Sequence, residues 1–416
     1  VGYARGVRAP LGLVVASALA SWSLSSVQSP ASAAVWVSLG LVAWGLVVVG
    51  GLGIAGTSWV RGAAAPSRGP GPERLPRALL LVALAALAVR LPLLRWPAEL
   101  SDDVFRYVWE GQVWRAGYSP FEHAPDAEAL APLRDANWAQ VNHRAVSSVY
   151  PPLAQAWFWL LAPLGPLGFR VAAMLADVLT ATVLAQREER AGWAWALLPL
   201  PAIESAANGH LEALGCLLVA LTLAGWRGAG LAAALVKLLP AVLLLREPPR
   251  RALLWAALGT LAFLPMLGPG LLRGLGTYGE HWSFNGSAWP LLNWLTGDGA
   301  WSRQLLFGVG AGVTLLAATS RARPADLMLI VSGAFVLLSP TVHPWYTLWP
   351  LLPALWLRER AFVLLAALVP LAYVVLATET MHGGWQEWPL TRWLIWVPVY
   401  ALLVADAWRR FTRAGP

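Results

Sequence analysis

Apolar stretches long enough to cross a bilayer recur from one end of the chain to the other, and polar residues crowd into the gaps between them. Residues 10–28, 32–55, 77–97, 167–186, 192–207, 210–225, 251–271, 303–319, 326–339, 345–357, 361–377 and 391–408 read as spans. Segments 152–164 and 229–246 are also apolar but break the in–out alternation, and each has proline at its edge or centre (Pro151, Pro152 and Pro163; Pro240). They are expected to be re-entrant or partial helices at a protein-lined cavity, the one place irregular backbone is tolerated at membrane depth. The pattern predicts an all-α, polytopic transmembrane helical bundle of roughly a dozen spans, ~17–22 residues each, in one integral membrane domain over residues 1–416. Residues 56–76, rich in Gly, Pro and Arg, read as a linker. Two longer polar stretches remain: 98–150, expected to carry short helices, and 272–302, rich in Trp, Gly and Asn. No internal repeat is evident.

Charge gives the pattern a direction. The 416 residues are 58% hydrophobic and 12% charged, with net charge +8, and a soluble chain carries about twice that charged fraction. The basic residues form no patch that could track a nucleic acid. They come in small groups between apolar segments, such as Arg61, Arg68, Arg74 and Arg77, then Arg187 and Arg190, then Arg246, Arg250 and Arg251, then Arg409, Arg410 and Arg413. Excess arginine on alternate loops marks the cytoplasmic side. The first apolar run, behind an arginine pair but with no small-residue cleavage signal, is expected to be a retained span. The 26 tryptophans suit interfacial belts. One cysteine, Cys216 in an apolar setting, excludes a disulfide framework and a multi-cysteine metal site. Threaded this way, all six histidines (His123, His143, His210, His281, His343, His382) fall on the outer face, together with the 98–150 and 272–302 loops.

Candidate chemistry therefore gathers on one side of a membrane. Loop 98–150 opens with Glu99-Leu-Ser-Asp102-Asp103-Val-Phe-Arg106-Tyr107-Val-Trp-Glu110. Ser101 before the acids looks like a helix N-cap, which accounts for one acid better than for two. On such a helix Asp103, Arg106 and Glu110 share a face, and a carboxylate oriented by an arginine is a plausible general base. The loop's far end carries His143 and Tyr150, candidates for substrate contact, before the extended Pro151-Pro152 entry to the next helix. In Glu204-Ser-Ala-Ala-Asn208-Gly209-His210-Leu-Glu212, a tight turn explains the Asn-Gly pair but not three ionisable groups at the membrane boundary. His210 and Glu212 could ligate a metal, although i, i+2 spacing is a weak indication. Lys237 either snorkels to the interface or meets an anionic head group. His281 and Asn285 mark the second loop, and His343, Trp345 and Tyr346 form a short outer turn suited to a phosphate or a sugar. Arg90 and Asp177 lie inside predicted spans, where they would pair or flank the same cavity.

Taken in order, SDDVFRYVWEG, GYSPF, YPPLAQ, NGHLEAL, KLLP and SPTVHPWY make the chain resemble the GT-C superfamily of integral membrane glycosyltransferases, nearest to the bacterial polyprenyl-phosphate-mannose-dependent mannosyltransferases. The resemblance runs from about Arg90 through Tyr346 and on into the last spans. It implies a bacterial inner-membrane enzyme with its site on the extracytoplasmic face. The donor would be a polyprenyl-phosphate hexose, with mannose the commonest sugar in that neighbourhood, and the acceptor a lipid or glycan hydroxyl. The reaction would be inverting, with Asp103 or Asp102 as general base. Arg106, His210, Lys237 and His343 would meet the leaving phosphate, and Tyr150, Trp282, Trp345 and Tyr346 would line the sugar or lipid path. The acids are adjacent, without the intervening residue of Asp-X-Asp members, so no cofactor is certain and a bridging divalent metal, though possible, is doubtful. Rival readings are a secondary transporter, which would show a repeat and mid-membrane charges, and a lipid-linked glycan polymerase or ligase.

Overall fold

The computed structural model describes residues 10–27, 33–54, 56, 75–97, 100–382 and 385–414, without the side chains of 278, 281, 380–382 and 413–414. Glu99 and most of the 56–76 linker lie outside the described residues. In chain order the helices are α1 (Leu11–Ser25), α2 (Ala34–Gly51), α3 (Leu75–Arg90), α4 (Asp103–Arg115), α5 (Pro152–Leu161), α6 (Gly165–Arg187), α7 (Glu189–Leu197), α8 (Pro199–Ala202), α9 (Glu212–Leu223) and α10 (Ala229–Val236). They continue as α11 (Pro249–Phe263), α12 (Arg273–His281), α13 (Ala288–Thr296), α14 (Gly299–Thr319), α15 (Pro324–Leu338), α16 (Leu348–Leu357), α17 (Arg360–Leu368), α18 (Val374–His382) and α19 (Pro389–Ala414). The described residues contain no β-strand; bridges between 284–285 and Thr341 are the only β-type pairings.

Five stretches among the described residues are long and apolar enough to cross a membrane: Ala34–Gly51, Leu75–Arg95, Pro152–Arg187, Arg360–Glu379 and Pro389–Thr412. Shorter apolar helices, Leu11–Ser25, Glu212–Leu223 and Pro324–Leu338, join them. Of the remaining expected spans, 303–319 is continuous within α14, and others are interrupted. Segment 192–207 breaks at Leu198, because Pro199 cannot continue the helix, and 229–246 breaks at Lys237, whose backbone is extended (φ −147°, ψ 142°) before a 3-10 turn over Leu239–Arg246. Segment 152–164 is α5, whose entry is set by the extended Pro151; at Gly165 (φ +63°) the chain turns into α6.

The molecule divides into a packed half and a half whose apolar surface is bare. Helices α2, α3, α6, α7, α9, α16 and α17 share one large buried core. By contrast α11 and α13 bury no residue, and Phe307 is 80% exposed and Leu316 73%. Apolar side chains this exposed, over this much surface, belong against lipid rather than water. Helix α4 is fastened to the packed half through Gly111: a Cβ there would lie 2.2 Å from the Phe158 carbonyl oxygen, so only glycine lets α4 and α5 approach this closely. Tyr107 stacks on Phe158 at 4.6 Å and meets Tyr150 edge-on at 5.4 Å, which fixes the first half of α4 against α5.

Candidate functional site

The turn after α8 supplies the deepest part of the site. Residues Ile203–Ala207 form a single π-turn, and Gly209 follows with φ +72°, a conformation glycine adopts at little cost. The wider turn folds the backbone so that the His210 N–H donates to the Glu204 carbonyl at 2.8 Å and both side chains point inward, fully buried. Glu204 Oε1 accepts the Tyr373 hydroxyl at 2.5 Å, and Oε2 accepts Asn208 Nδ2 at 2.8 Å. His210 Nδ1 lies 3.1 Å from the same Oε2, out of line for a well-formed hydrogen bond. Its Nε2 is 2.8 Å from Ser101 Oγ, which joins this turn to the residue just before the acid pair.

Asp102 and Asp103 begin α4. Asp102 occupies the cap position but makes no capping bond, and Ser101 Oγ is 3.4 Å from the Asp103 N–H. The expected Ser101 cap is thus weak, and its hydroxyl is shared with His210. Asn142, from the far end of the loop, donates through Nδ2 to Asp102 Oδ1 at 2.5 Å and to Asp103 Oδ1 at 3.3 Å. Among the described residues no lysine or arginine pairs with either acid. Asp102 is reached by solvent, with protein packed around its carboxylate. That crowding, and then the charge of Asp103, raises its pKa to about 6. The Asp103 charge bears on the ionisation of Tyr107, Tyr150, His143, His210, His343 and Tyr373, which puts it at the centre of the group.

Lys237 enters at the break after α10. Its Nζ donates to the buried Glu212 at 2.7 Å and lies 5.6 Å from the Tyr150 ring and 5.7 Å from the Tyr346 ring, with its side chain 26% open. An aromatic ladder closes the circuit. The Trp345 ring sits 4.1 Å from His210 and stacks on His343 at 4.4 Å, and His343 meets Tyr346 at 5.3 Å. Burial pushes the His343 imidazole down to about 4, so at neutral pH it is an uncharged hydrogen-bonding group. Five separated segments thereby join in one contact network: 101–103, 142–150, 204–212, Lys237 and 343–346.

Other sequence-predicted residues are placed differently. Arg106 turns from Asp103 to Glu110 (2.9 Å) and to the carbonyls of Asn142, His143 and Val146. Glu110 also accepts from Ser148 and Gln155, each at 2.7 Å. The pair therefore clamps the loop's return rather than orienting the acid. Asn285 (φ +49°) donates through its side chain to the Val342 carbonyl and through its N–H to Glu387, tying the second loop to the turn at 341–342. His143 (φ +44°) sits at the rim, its ring 4.6 Å from Trp282. The side chain of His281 lies outside the described residues. His210 and Glu212 point to different partners, and the described residues contain no cluster of three or more metal-ligating side chains. Compared with protein-family models, curated proteins and solved structures, the chain finds no match.

Proposed function

We propose that the protein is an integral membrane glycosyltransferase of the GT-C kind, moving a hexose, mannose first among candidates, from a polyprenyl-phosphate donor to an acceptor hydroxyl. In this scheme roughly a dozen spans of about 17–22 residues cross a bacterial inner membrane. The loop over 98–150 then faces outward, among membrane lipids. The observation that carries the proposal is the single contact network joining a carboxylate pair without a cation, a lysine held between two tyrosine rings, and a ladder of aromatic rings. Transfer from a lipid phosphate needs each of these groups.

Asp103 takes the acceptor proton as the acceptor oxygen bonds to the anomeric carbon. The bond from that carbon to the phosphate oxygen breaks on the opposite face, and its electron pair leaves on the polyprenyl phosphate. Charge grows on that phosphate in the transition state, where Lys237 stabilises it. Tyr150, Tyr346 and Trp345 supply ring faces for the sugar and the first isoprene units. Burial and the charge of the adjacent Asp103 raise the Asp102 pKa to about 6, and activity is expected to rise with pH as that charge develops beside the base.

Buried charges at broken helices, Glu204, His210, Glu212 and Lys237, are also what a secondary transporter would place at its substrate site. Purified protein offered radiolabelled polyprenyl-phosphate-mannose and a membrane glycolipid extract separates the two. Label moved covalently to an acceptor by wild type and lost in Asp103→Asn supports transfer. Donor that is bound and released unchanged in detergent, but carried across reconstituted vesicles, makes the protein a transporter.

A further inference from the structure

Behind the acid pair, Glu204, His210 and Ser101 form a chain of polar groups closed from solvent. Glu204 is 0% exposed, and among the described residues no lysine or arginine pairs with it. Its oxygens accept from the Tyr373 hydroxyl and the Asn208 amide. A buried carboxylate needs a counter-charge, and the base in contact with it is His210. The sequence suggested Arg106 as the cation beside Asp103, but that guanidinium is committed to Glu110 and three loop carbonyls.

We infer that His210 is held as an imidazolium and serves as the buried counter-ion of the Asp102–Asp103 pair, acting on it through Ser101. Its Nδ1–H faces Glu204 and its Nε2–H donates to Ser101 Oγ at 2.8 Å. The Ser101 hydroxyl hydrogen is then released from His210 and free to turn toward the carboxylates that follow it. Four charged or titratable groups face His210: Glu204 from the π-turn, Asp103 from α4, Glu212 from the start of α9 and His343 from the turn before α16. Burial by itself disfavours a charged imidazole, and the negative charges of Glu204, then Asp103 and Glu212, around it favour one. A serine–histidine–glutamate set also suggests a nucleophilic serine. Here an oxyanion at Ser101 would form beside two carboxylates, and an Nε2 that already carries a proton cannot take the one on the serine. Positioning and charge support is the role that fits.

The catalytic consequence rests on the glycosyl-transfer proposal; the charge of His210 does not. Histidine-selective 15N spectra of the purified protein at neutral pH should contain an imidazolium signal that His210→Gln removes and Glu204→Gln converts to a neutral ring. In the transfer assay, His210→Gln should move the acidic limb of kcat to higher pH by about one unit, since an opposite charge near a carboxylate depresses its pKa by about 1–3 units. The donor KM should stay within about twofold, because a residue behind the base binds transition state and ground state unequally. If His210→Gln misfolds, Tyr373→Phe deletes one donor to Glu204 and should shift the limb less, in the same direction. A neutral His210 in the spectra, or a limb that stays in place while kcat falls, overturns the inference. A wild type that moves no sugar while its imidazolium signal is present removes the catalytic role with the transfer proposal and leaves the counter-ion assignment standing.

Discussion

Two of the groups of charges buried in the packed half of the molecule are finished to different degrees. Arg90 donates to Asp177, to Ala196 O at 2.7 Å, and to Trp195 O and Ala86 O at 3.2 Å, while Asp177 accepts Trp195 Nε1 at 2.6 Å. That pair fastens α3 to α6 and α7, and little of its bonding capacity is left over. Around Asp103 the bonding is left open. The acids have only Asn142 between them, Glu212 has one oxygen without a hydrogen-bond partner, and His210 Nδ1 is out of line. A buried charge kept for structure is saturated by its neighbours, whereas one kept for chemistry must have capacity left for a ligand.

The sharpest break between the two groups comes from exchanging one charge in each. Asp103→Asn should cut transfer by about 10²–10⁴-fold, the usual worth of a positioned general base, with the melting temperature in detergent nearly unchanged. Equal activity, or an equal loss in folded protein, would remove Asp103 from the chemistry. Arg90→Met should do the reverse. Stranding Asp177 in the core should destabilise the fold by about 3–5 kcal/mol, read as a lower melting temperature, with activity per folded molecule close to wild type.

Lys237→Met is a smaller test that touches both properties at once. Losing the cation should lower kcat/KM by about 10²-fold, as removal of one charge-stabilising donor does, and it also strands Glu212. The double variant Lys237→Met/Glu212→Gln separates the effects: stability should return and transfer should not. Recovery of transfer in the double variant would mean that Lys237 serves Glu212 and never meets a phosphate.

The sequence made legible whatever is written locally. Apolar runs announced the helices, prolines announced the breaks at 151–152 and 240, and Asp102, Asp103, His210, Glu212, Lys237 and His343 stood out as ionisable groups beside apolar segments. The pairings were not legible, because they cross the chain. Tyr373 reaches Glu204 over 169 positions and Asn142 reaches Asp102 over 40, and neither has a local signature. Arg106 misled because helical spacing shows which residues share a face but not which neighbour a long guanidinium prefers once a loop returns with three carbonyls within its reach. The π-turn was hidden for a similar reason. Ile203–Ala207 has ordinary helix formers, and the extra residue per turn is imposed by Pro199 and Pro201 behind it and Gly209 ahead.

The subtlest difference between the groups lies in the raised pKa of Asp102, and Asn142 tests it. The Asn142 amide donates to both carboxylates and lowers the pKa of Asp102, against burial and the Asp103 charge that raise it to about 6. Asn142→Ala removes the lowering influence alone, so Asp102 should hold its proton to higher pH. Its charge then develops beside the base later, and activity should therefore rise with pH later than in wild type. The limb should move upward by a few tenths of a unit to about one, with kcat at high pH nearly restored. Asp102→Asn is the matching opposite. It deletes the like charge beside Asp103, so the limb should move to lower pH while activity persists. Opposite shifts from two neighbouring substitutions are hard to obtain from lost packing, which lowers kcat at every pH. If Asp102→Asn instead abolishes activity at every pH in folded protein, Asp102 and not Asp103 takes the acceptor proton.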